Sequence, residues 1–392
     1  MPLPLLALFL AAFAFGTTEF VIAGVLPEVA DGLGVSIPTA GTLVSGYALG
    51  IAVGGPLLTL ATPNVPRKTL LLVLTAIFTA GQVACALAPD FFSMLALRVA
   101  VAVAHGTYFG VAMVVATGLV REDKRGMAVA LVLAGLTVSG IVGVPAGTAI
   151  GNLWGWRATF WTMTALGLIA AAAIALLIPA TKTATAAPAG LRREIGVLGR
   201  QQGWTSLVVM LMLMLGQFVP YTYITPLLQE VTGLDAGLVP WVLLAAGVGS
   251  TAGVFAGGKL AGRHLMPALI AMLALQGLVL AAMFAAGPYP VPMVLVIMVW
   301  GAINFSIGTA VQTRILSWTA DAPNLASSLI PSGFNVGIAL AAFVGATMLN
   351  AGLSYRSLPL IGVAAMVVAT ATAMASYLHE RRNGQRPPAL AA

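Results

Sequence analysis

The sequence predicts an all-α integral membrane protein with twelve transmembrane helices in two six-helix repeats. Three observations lead to this fold class: an apolar composition, twelve apolar windows of membrane-spanning length, and basic residues confined to alternate loops. Of the 392 residues, 60% are hydrophobic and 7% are charged, whereas about a quarter of the residues in a soluble domain are charged. A soluble fold could not bury so much apolar surface.

Each predicted span is a window of about 20 apolar residues, the length that a helix needs to cross the hydrocarbon core. Helices are favoured over a barrel because strand-like alternation is absent and a helix satisfies its own backbone polar groups. The start MPLPLLALFL lacks the basic residues of a cleaved signal peptide, so the first window is expected to be a retained helix. The windows cover residues 4–27, 38–60, 69–88, 93–119, 127–151, 158–179, 204–228, 238–258, 267–286, 292–313, 325–349 and 357–378.

The basic residues predict the topology, since cytoplasmic loops collect Lys and Arg. Of the 18 Lys and Arg residues, all except Arg98, Arg157 and Arg356 fall on one set of alternate loops or on the C-terminal tail, Arg314 among them. Both termini are therefore predicted to be cytoplasmic, in the cell (inner) membrane. The net charge of +7 then reflects topology and not nucleic-acid binding, since no basic patch is interleaved with stacking aromatic residues.

The acidic residues are also confined to loops and the tail, but they fall on both sides of the predicted membrane. All of them except Glu19 fall in predicted loops or in the tail, Glu380 among them. The predicted membrane interior thus holds one acid, Glu19, one permanent base, Arg98, and one further ionisable candidate, His105.

An internal repeat is predicted on either side of the polar stretch 181–203. An offset of 202 residues aligns Glu28-Val29 with Glu230-Val231 and Gly106-Thr107 with Gly308-Thr309. The predicted domains are an N-terminal bundle (1–179), a cytoplasmic linker (180–203) and a C-terminal bundle with a tail (204–392). Two parallel repeats with a substrate site between them are typical of secondary transporters.

The repeat also predicts an asymmetry between the halves. At the same offset Glu19 corresponds to Tyr221 and Arg98 corresponds to Trp300. We therefore expect ionisable chemistry in the N-terminal half alone.

Four spans carry small residues four positions apart, which form a groove that lets another backbone approach closely. We expect these glycine ladders to form the helix interface along which the two halves meet and rock. The ladder glycines are Gly46, Gly50 and Gly54 in span 2, Gly143, Gly147 and Gly151 in span 5, Gly249, Gly253 and Gly257 in span 8, and Gly333, Gly337 and Gly345 in span 11.

Two motifs resemble a known family. The segment GLTVSGIVGVPAGTAIGNLWGWR (135–157) is similar to the antiporter motif of the major facilitator superfamily, and GTTEFVIAGVLPEVA (16–30) is similar to the first-span signature of its drug:proton antiporters. Within that family the chain looks most similar to chloramphenicol-resistance exporters of actinomycetes, with arabinose and other sugar efflux proteins as nearer relatives than uptake carriers. The resemblance implies the major facilitator fold and the export of a drug in exchange for protons.

The resemblance also assigns positions. It places Gly143, Pro145 and Gly147 in the antiporter motif and Arg98 on the intramembrane arginine of span 4, where Val101 stands in place of a common polar residue. In the cytoplasmic loop motif Thr59 stands where an aspartate is common, and Gly262 stands at the equivalent place in the second half. A cytoplasmic gate latched by that acid is therefore not expected.

Glu19, Arg98 and His105 are the predicted proton-coupling residues. A charge in mid-bilayer is costly by at least about 2.5 kcal/mol and usually faces a cavity or a partner. We expect Glu19 to load and release a proton; the alternative is a fixed buried pair of Glu19 with Arg98. His105 lies two turns from Arg98, and its alternative role is a hydrogen bond to a backbone carbonyl.

The predicted substrate contacts are uncharged. A cavity of aromatic and amide side chains with one carboxylate suits an uncharged amphiphilic molecule better than a polyanion. The alternatives are amides that link helices and aromatic residues that anchor at the interface. The candidate residues are Tyr47, Tyr108, Gln217, Tyr221, Trp300, Asn304 and Asn335.

An enzyme is not expected, because the sequence has no nucleotide-binding loop, no metal-ligand cluster and no nucleophile with a base. We expect no cofactor and no metal. The predicted partners are a small-molecule drug, protons and the lipid bilayer, and the protein is expected to act as a monomer. A channel is the other class to distinguish, because it would let solute leak down a gradient.

Overall fold

The computed structural model describes residues 3–180, 201–261, 265–318 and 323–383, which form helices and connecting turns. Twelve helical segments in these ranges are long and apolar enough to cross a membrane, which confirms the predicted number. Residues 181–200 of the predicted linker, and Gly262, lie outside the described residues. We number the segments α1 (Leu3–Gly24), α2 (Ile37–Ala61), α3 (Arg67–Ala86), α4 (Phe91–Gly118), α5 (Glu122–Trp154), α6 (Trp156–Leu177), α7 (Gln201–Thr222), α8 (Ala236–Gly253), α9 (Leu265–Ala286), α10 (Pro290–Trp318), α11 (Ile330–Asn350) and α12 (Tyr355–Arg382).

Internal contacts divide the chain into two compact units. The first contains α1 to α6 together with Asp235–Leu244 at the beginning of α8, and the second contains α7, the rest of α8 and α9 to α12. Within the first unit, the side-chain amide of Asn152 on α5 donates a 2.7 Å hydrogen bond to the carbonyl of Ala236. The sequence predicts one C-terminal bundle and tail for residues 204–392. The internal contacts instead assign the beginning of α8 to the first unit.

Turns with left-handed glycines occupy equivalent places in the two halves. Gly34 (φ 64°) lies between α1 and α2 and Gly233 (φ 74°) between α7 and α8; Gly155 (φ 85°) joins α5 to α6 and Gly352 (φ 93°) joins α11 to α12. Residues with a side chain rarely adopt this backbone conformation. The matching positions agree with the predicted repeat.

The ladders of α2 and α8 pack in equivalent ways. Gly50 of α2 faces α4, where an added Cβ would lie 2.7 Å from the Cβ of Ala102. Gly253 of α8 lies against the backbone of Ala302 on α10. The remaining described glycines of these two ladders, Gly46, Gly54 and Gly249, face Leu95, Val103 and Met298 respectively.

The ladders of α5 and α11 also pack within their own half. An added Cβ at Gly147 would lie 2.5 Å from Val21 on α1, and one at Gly337 would lie 2.5 Å from Met214 on α7. Each groove is thus filled by a helix of the same half, which corrects the prediction that the ladders line the surface between the halves. The other described glycines, Gly143, Gly151, Gly333 and Gly345, face Thr17, Val25, Met210 and Tyr223, Pro145 is buried on α5, and Gly257 lies outside the side-chain positions that the structure describes.

Candidate functional site

Glu19 on α1 faces His105 on α4 in the interior of the first unit. The Oε2 atom of Glu19 lies 3.7 Å from Nε2 of His105, and the two side chains are 10% and 3% exposed. This distance is longer than a well-formed hydrogen bond, which is close to 3 Å. The structure brings together two of the three residues predicted for proton coupling and leaves room for their contact to tighten.

Tyr47 on α2 contacts the opposite edge of the same imidazole. Its hydroxyl lies 2.9 Å from Nδ1 of His105, and the Tyr47 side chain is buried. His105 is therefore bracketed by a carboxyl group at one ring nitrogen and a phenol at the other. Its hydroxyl bond to His105 places Tyr47 beside the ionisable residues, and its contact with substrate stays a prediction.

Arg98 completes this cluster without binding Glu19. Its Cζ atom lies 4.6 Å from the centre of the Tyr47 ring, and its side chain is buried. Among the described residues, no partner hydrogen-bonds any of its three guanidinium nitrogens, and the fixed Glu19–Arg98 pair is not the arrangement observed. A buried charge normally requires hydrogen bonds and a counter-charge. The described residues supply Arg98 with neither a hydrogen bond nor an ion pair.

Aromatic rings enclose the imidazole. The rings of Phe15 and Phe109 each lie 5.2 Å from that of His105, and Phe15 stacks on Tyr108 at 4.7 Å. The Tyr108 hydroxyl donates a 2.9 Å hydrogen bond to the carbonyl of Leu8. Tyr108, predicted to contact substrate, is a fully buried member of this wall.

Helix geometry explains why these side chains meet. Asp90 and Ser93 form a capping box at the start of α4, and from there Arg98 and His105, seven residues apart, share one helix face. Gly46 and Gly50 of α2 let its backbone approach that face closely. Tyr47, which lies between them in sequence, can therefore reach His105.

In the second unit the equivalent positions carry an aromatic pair. The ring centre of Tyr221 on α7 lies 6.1 Å from that of Trp300 on α10. These residues correspond in the repeat to Glu19 and Arg98. The contact agrees with the predicted asymmetry at these positions, where aromatic rings replace the acid and the base.

Polar groups without a hydrogen-bond partner lie beside this pair in sequence. Gln217, one turn before Tyr221, is 1% exposed, and neither end of its amide is paired with another described residue. The indole nitrogen of Trp300 and Oδ1 of Asn335 also have no hydrogen-bond partner among the described residues. The amide nitrogen of Asn335 donates to the carbonyl of Pro331 at 3.0 Å. Asn304, one turn after Trp300, is half-buried.

Sequence reasoning missed a buried ionic cluster in the second unit. Arg314 on α10 donates from Nη2 to Oε1 of Glu380 on α12 at 2.7 Å and to Ser376 at 2.8 Å. Its Nε donates to Ser206 on α7 at 3.0 Å, and Nη1 contacts the sulfur of Met266 on α9. Arg314 and Glu380 are 3% and 5% exposed, so the prediction that ionisable groups are buried in the N-terminal half alone is wrong.

The cause of this error is the position of two predicted helix ends. The sequence ends span 10 at residue 313 and span 12 at 378, whereas α10 continues to Trp318 and α12 to Arg382. A signal was present in the spacing of Ser376 and Glu380, which are one turn apart and can offer two oxygens to one cation.

Comparisons with known proteins agree with this architecture. The sequence profile of the Major Facilitator Superfamily matches residues 8–317. The inner membrane transport protein YdhP of Escherichia coli (strain K12) is 38% identical to this chain over 92% of each protein. A chloramphenicol resistance protein of Streptomyces lividans is 36% identical over 94% of this chain and 95% of its own length.

The fold is similar to that of a solved transporter. The crystal structure of a bacterial homologue of the human lysosomal transporter Spinster matches with a TM-score of 0.74 and 19% identity over 98% of both chains. This family and this fold are those of transporters, not of enzymes. The chain belongs to the major facilitator superfamily.

Proposed function

We propose that this transporter is a proton-coupled antiporter that exports a small, uncharged, amphiphilic drug by alternating access. Chloramphenicol is the candidate substrate. We further propose that the protein acts as a monomer in the cell membrane, with both termini in the cytoplasm.

The arrangement of Glu19 carries the proposal. Its carboxyl group is almost fully buried, contacts His105 at 3.7 Å and forms no ion pair with Arg98 among the described residues. A buried carboxyl group without a fixed cation is stable when protonated and requires water or a cation when ionised. Proton occupancy of Glu19 would therefore bias the conformational equilibrium, and a proton could exchange for drug because each ligand alters the same equilibrium.

The proposed substrate contacts are the uncharged groups of the second unit. Tyr221 and Trp300 offer apolar ring faces, while the amides of Gln217 and Asn335 and the Trp300 indole have unpaired hydrogen-bonding atoms. Such groups suit a neutral molecule that combines an aromatic ring with hydroxyl and amide groups. The similarity to a chloramphenicol resistance protein supports the same choice.

A sugar is the second candidate substrate. The unpaired amide atoms of Gln217 and Asn335 would also receive the hydroxyl groups of an arabinose-like sugar, for which amides are suitable partners. The two candidates differ in their need for an aromatic platform. Replacing Trp300 with Leu should therefore weaken the export of chloramphenicol more than that of a pentose.

The first test uses a drug-sensitive bacterial strain that expresses the protein. Cells with the intact chain should accumulate less chloramphenicol and grow at higher drug concentrations than cells with an empty vector. Expression at matched levels of the Glu19→Gln variant is the control for indirect effects of a membrane protein. If resistance is absent while arabinose is exported, the sugar transporter is the correct choice.

The second test separates an antiporter from a channel. Purified protein in liposomes should move chloramphenicol against its concentration gradient when a pH gradient is imposed, and should move protons when drug is added. A channel would only let the drug equilibrate, independently of the pH gradient. Equilibration without accumulation would contradict the antiporter.

A further inference from the structure

The imidazole of His105 links the hydroxyl of Tyr47 to the carboxyl group of Glu19. The Tyr47 hydroxyl lies 2.9 Å from Nδ1 of His105, and Nε2 of the same ring faces Glu19 at 3.7 Å. A neutral imidazole has one N–H and one lone pair, so the partner of one nitrogen decides which nitrogen carries the hydrogen. The side chain on the Nδ1 edge thus controls what His105 offers to Glu19.

We propose that Tyr47 is a positioning residue that acts on Glu19 through His105. The Tyr47 hydroxyl donates to Nδ1 and thereby holds His105 in the tautomer whose Nε2–H points at the Glu19 carboxylate. The effect of this tautomer on transport rests on the proposed proton coupling. The tautomer itself is a property of the protein that can be measured without any substrate.

Electrostatic complementarity supports this direction of the hydrogen bond. In the opposite direction His105 would donate to the Tyr47 oxygen and would turn the lone pair of Nε2 toward an ionised Glu19. Two acceptors would then face each other in a buried site, which is unfavourable. The guanidinium of Arg98, 4.6 Å from the centre of the Tyr47 ring, also makes the Tyr47 hydroxyl a better donor and a poorer acceptor.

The surroundings of His105 offer no other group for this role among the described residues. Cys85 on α3 is a buried free thiol, and Tyr108 on α4 donates to a backbone carbonyl. The charged residues of α5 are exposed at its start, in the range 122–125. Among the described residues, Glu19 and Tyr47 are therefore the ionisable groups that contact the imidazole, and Arg98 lies against the ring of Tyr47.

The proposal links the tautomer of His105 to the proton on Glu19. When Glu19 is ionised, the Nε2–H tautomer stabilises it. When Glu19 is protonated, its O–H can donate to Nε2 only if the hydrogen of the ring moves to Nδ1. Nδ1 can then no longer accept the hydrogen bond that the Tyr47 hydroxyl donates. Tyr47 thus favours release of the proton from Glu19, and its removal should favour retention.

The first experiment reads the tautomer directly. The full chain is labelled with ¹⁵N-histidine in lipid nanodiscs, and the signals of His105 are assigned by their loss in His105→Gln. The chain has 3 histidines, so the spectrum is simple. At a pH high enough to ionise Glu19, we expect a hydrogen-bonded, unprotonated Nδ1 and a protonated Nε2 in the parent, and a mixture of tautomers in Tyr47→Phe.

Tyr108→Phe is the matched control, because it removes a buried tyrosine hydroxyl that binds only the backbone. It should leave the His105 signals unchanged. Unaltered His105 signals in Tyr47→Phe at that pH, or a protonated Nδ1 in the parent while Glu19 is ionised, would overturn the proposal whatever the protein transports.

The second experiment measures chloramphenicol transport in liposomes as a function of pH. Tyr47→Phe should shift the midpoint of the pH profile upward by about half to one pH unit, since a hydrogen bond between two neutral groups contributes a free energy of that order. In the His105→Gln background the same change should have no further effect, because the link is broken. Measurable transport with an unshifted midpoint would refute the positioning role and leave the antiporter proposal intact.

Discussion

Arg314 and Glu380 form a buried ion pair in the second unit, with 2.7 Å between Nη2 and Oε1. Ser376 and Ser206 bind the same guanidinium, so both the charge and the donors of Arg314 are largely satisfied. Arg98 in the first unit has no such partner among the described residues. The two buried arginines therefore differ in kind: one is fixed by its neighbours, and the other is available to respond to a change in charge.

The first prediction concerns the Arg314–Glu380 pair. Glu380→Ala leaves Arg314 buried without its counter-charge, a change that typically costs roughly 3–5 kcal/mol. We expect a marked fall in the thermal unfolding temperature of the purified protein. The control is Glu122→Ala, which breaks an exposed pair with Arg125 and should have little effect, because exposed pairs contribute little. Equal stability of the two variants would show that the buried pair is dispensable.

The second prediction compares the two arginines. Arg314→Ala removes the partner of Glu380 and of two serines, whereas Arg98→Ala removes no hydrogen bond to a described residue. Arg314→Ala should therefore lower the unfolding temperature more than Arg98→Ala. Drug transport driven by a pH gradient should be lost in Arg98→Ala, because ionised Glu19 would have no buried permanent cation among the described residues of the first unit.

These two arginines also show what sequence alone can predict. The number of spans followed from apolar length, and the interior position of Arg98 followed from its place in the middle of an apolar window. Arg314 lies within one residue of a predicted helix end, where hydropathy does not distinguish the last buried turn from the first exposed one. Side-chain burial there depends on Ser206 and Glu380, which are distant in sequence.

The glycine ladders and Tyr47 illustrate a second limit. A ladder predicts close approach of a helix but does not identify that helix, and Gly50 and Gly147 in fact meet α4 and α1 of their own half. Tyr47 could be assigned to a cavity by residue type, yet its partner His105 is 58 residues away along the chain. Such pairings depend on the packing of α2 against α4, which no periodicity specifies.

The third prediction addresses Glu19 directly. Glu19→Gln has nearly the same size and imitates the protonated carboxyl group, so the variant should fold and should still bind chloramphenicol. Gradient-driven transport in liposomes should fall to the level of protein-free vesicles, since no proton can be released. If the variant still concentrates drug at the parental rate at matched protein content, Glu19 is structural and the coupling site lies elsewhere.

The fourth prediction tests the close packing of α5 against α1. An added Cβ at Gly147 would lie 2.5 Å from a methyl group of Val21, whereas one at Gly140, two turns earlier on the same span, would meet no atom within 4 Å. Overpacking of a well-packed contact costs about 1–3 kcal/mol and can be more costly for a large side chain. Gly147→Leu should therefore lower the unfolding temperature and the yield of folded protein, and Gly140→Leu should leave both nearly unchanged.

The choice of control matters for this comparison. Gly167 on α6 carries no ladder, but an added Cβ there would approach Phe78 at 3.0 Å and would also meet Thr79, so Gly167→Leu should be destabilising as well. The decisive variant is the double mutant Gly147→Leu with Val21→Ala, which removes the methyl groups that obstruct the new side chain. Recovery of the unfolding temperature in the double mutant would assign the defect to the α1–α5 contact, because coupling between two substitutions identifies residues that share one contact. If Val21→Ala only adds its own destabilisation, the glycine is required for some other reason and the packing explanation fails.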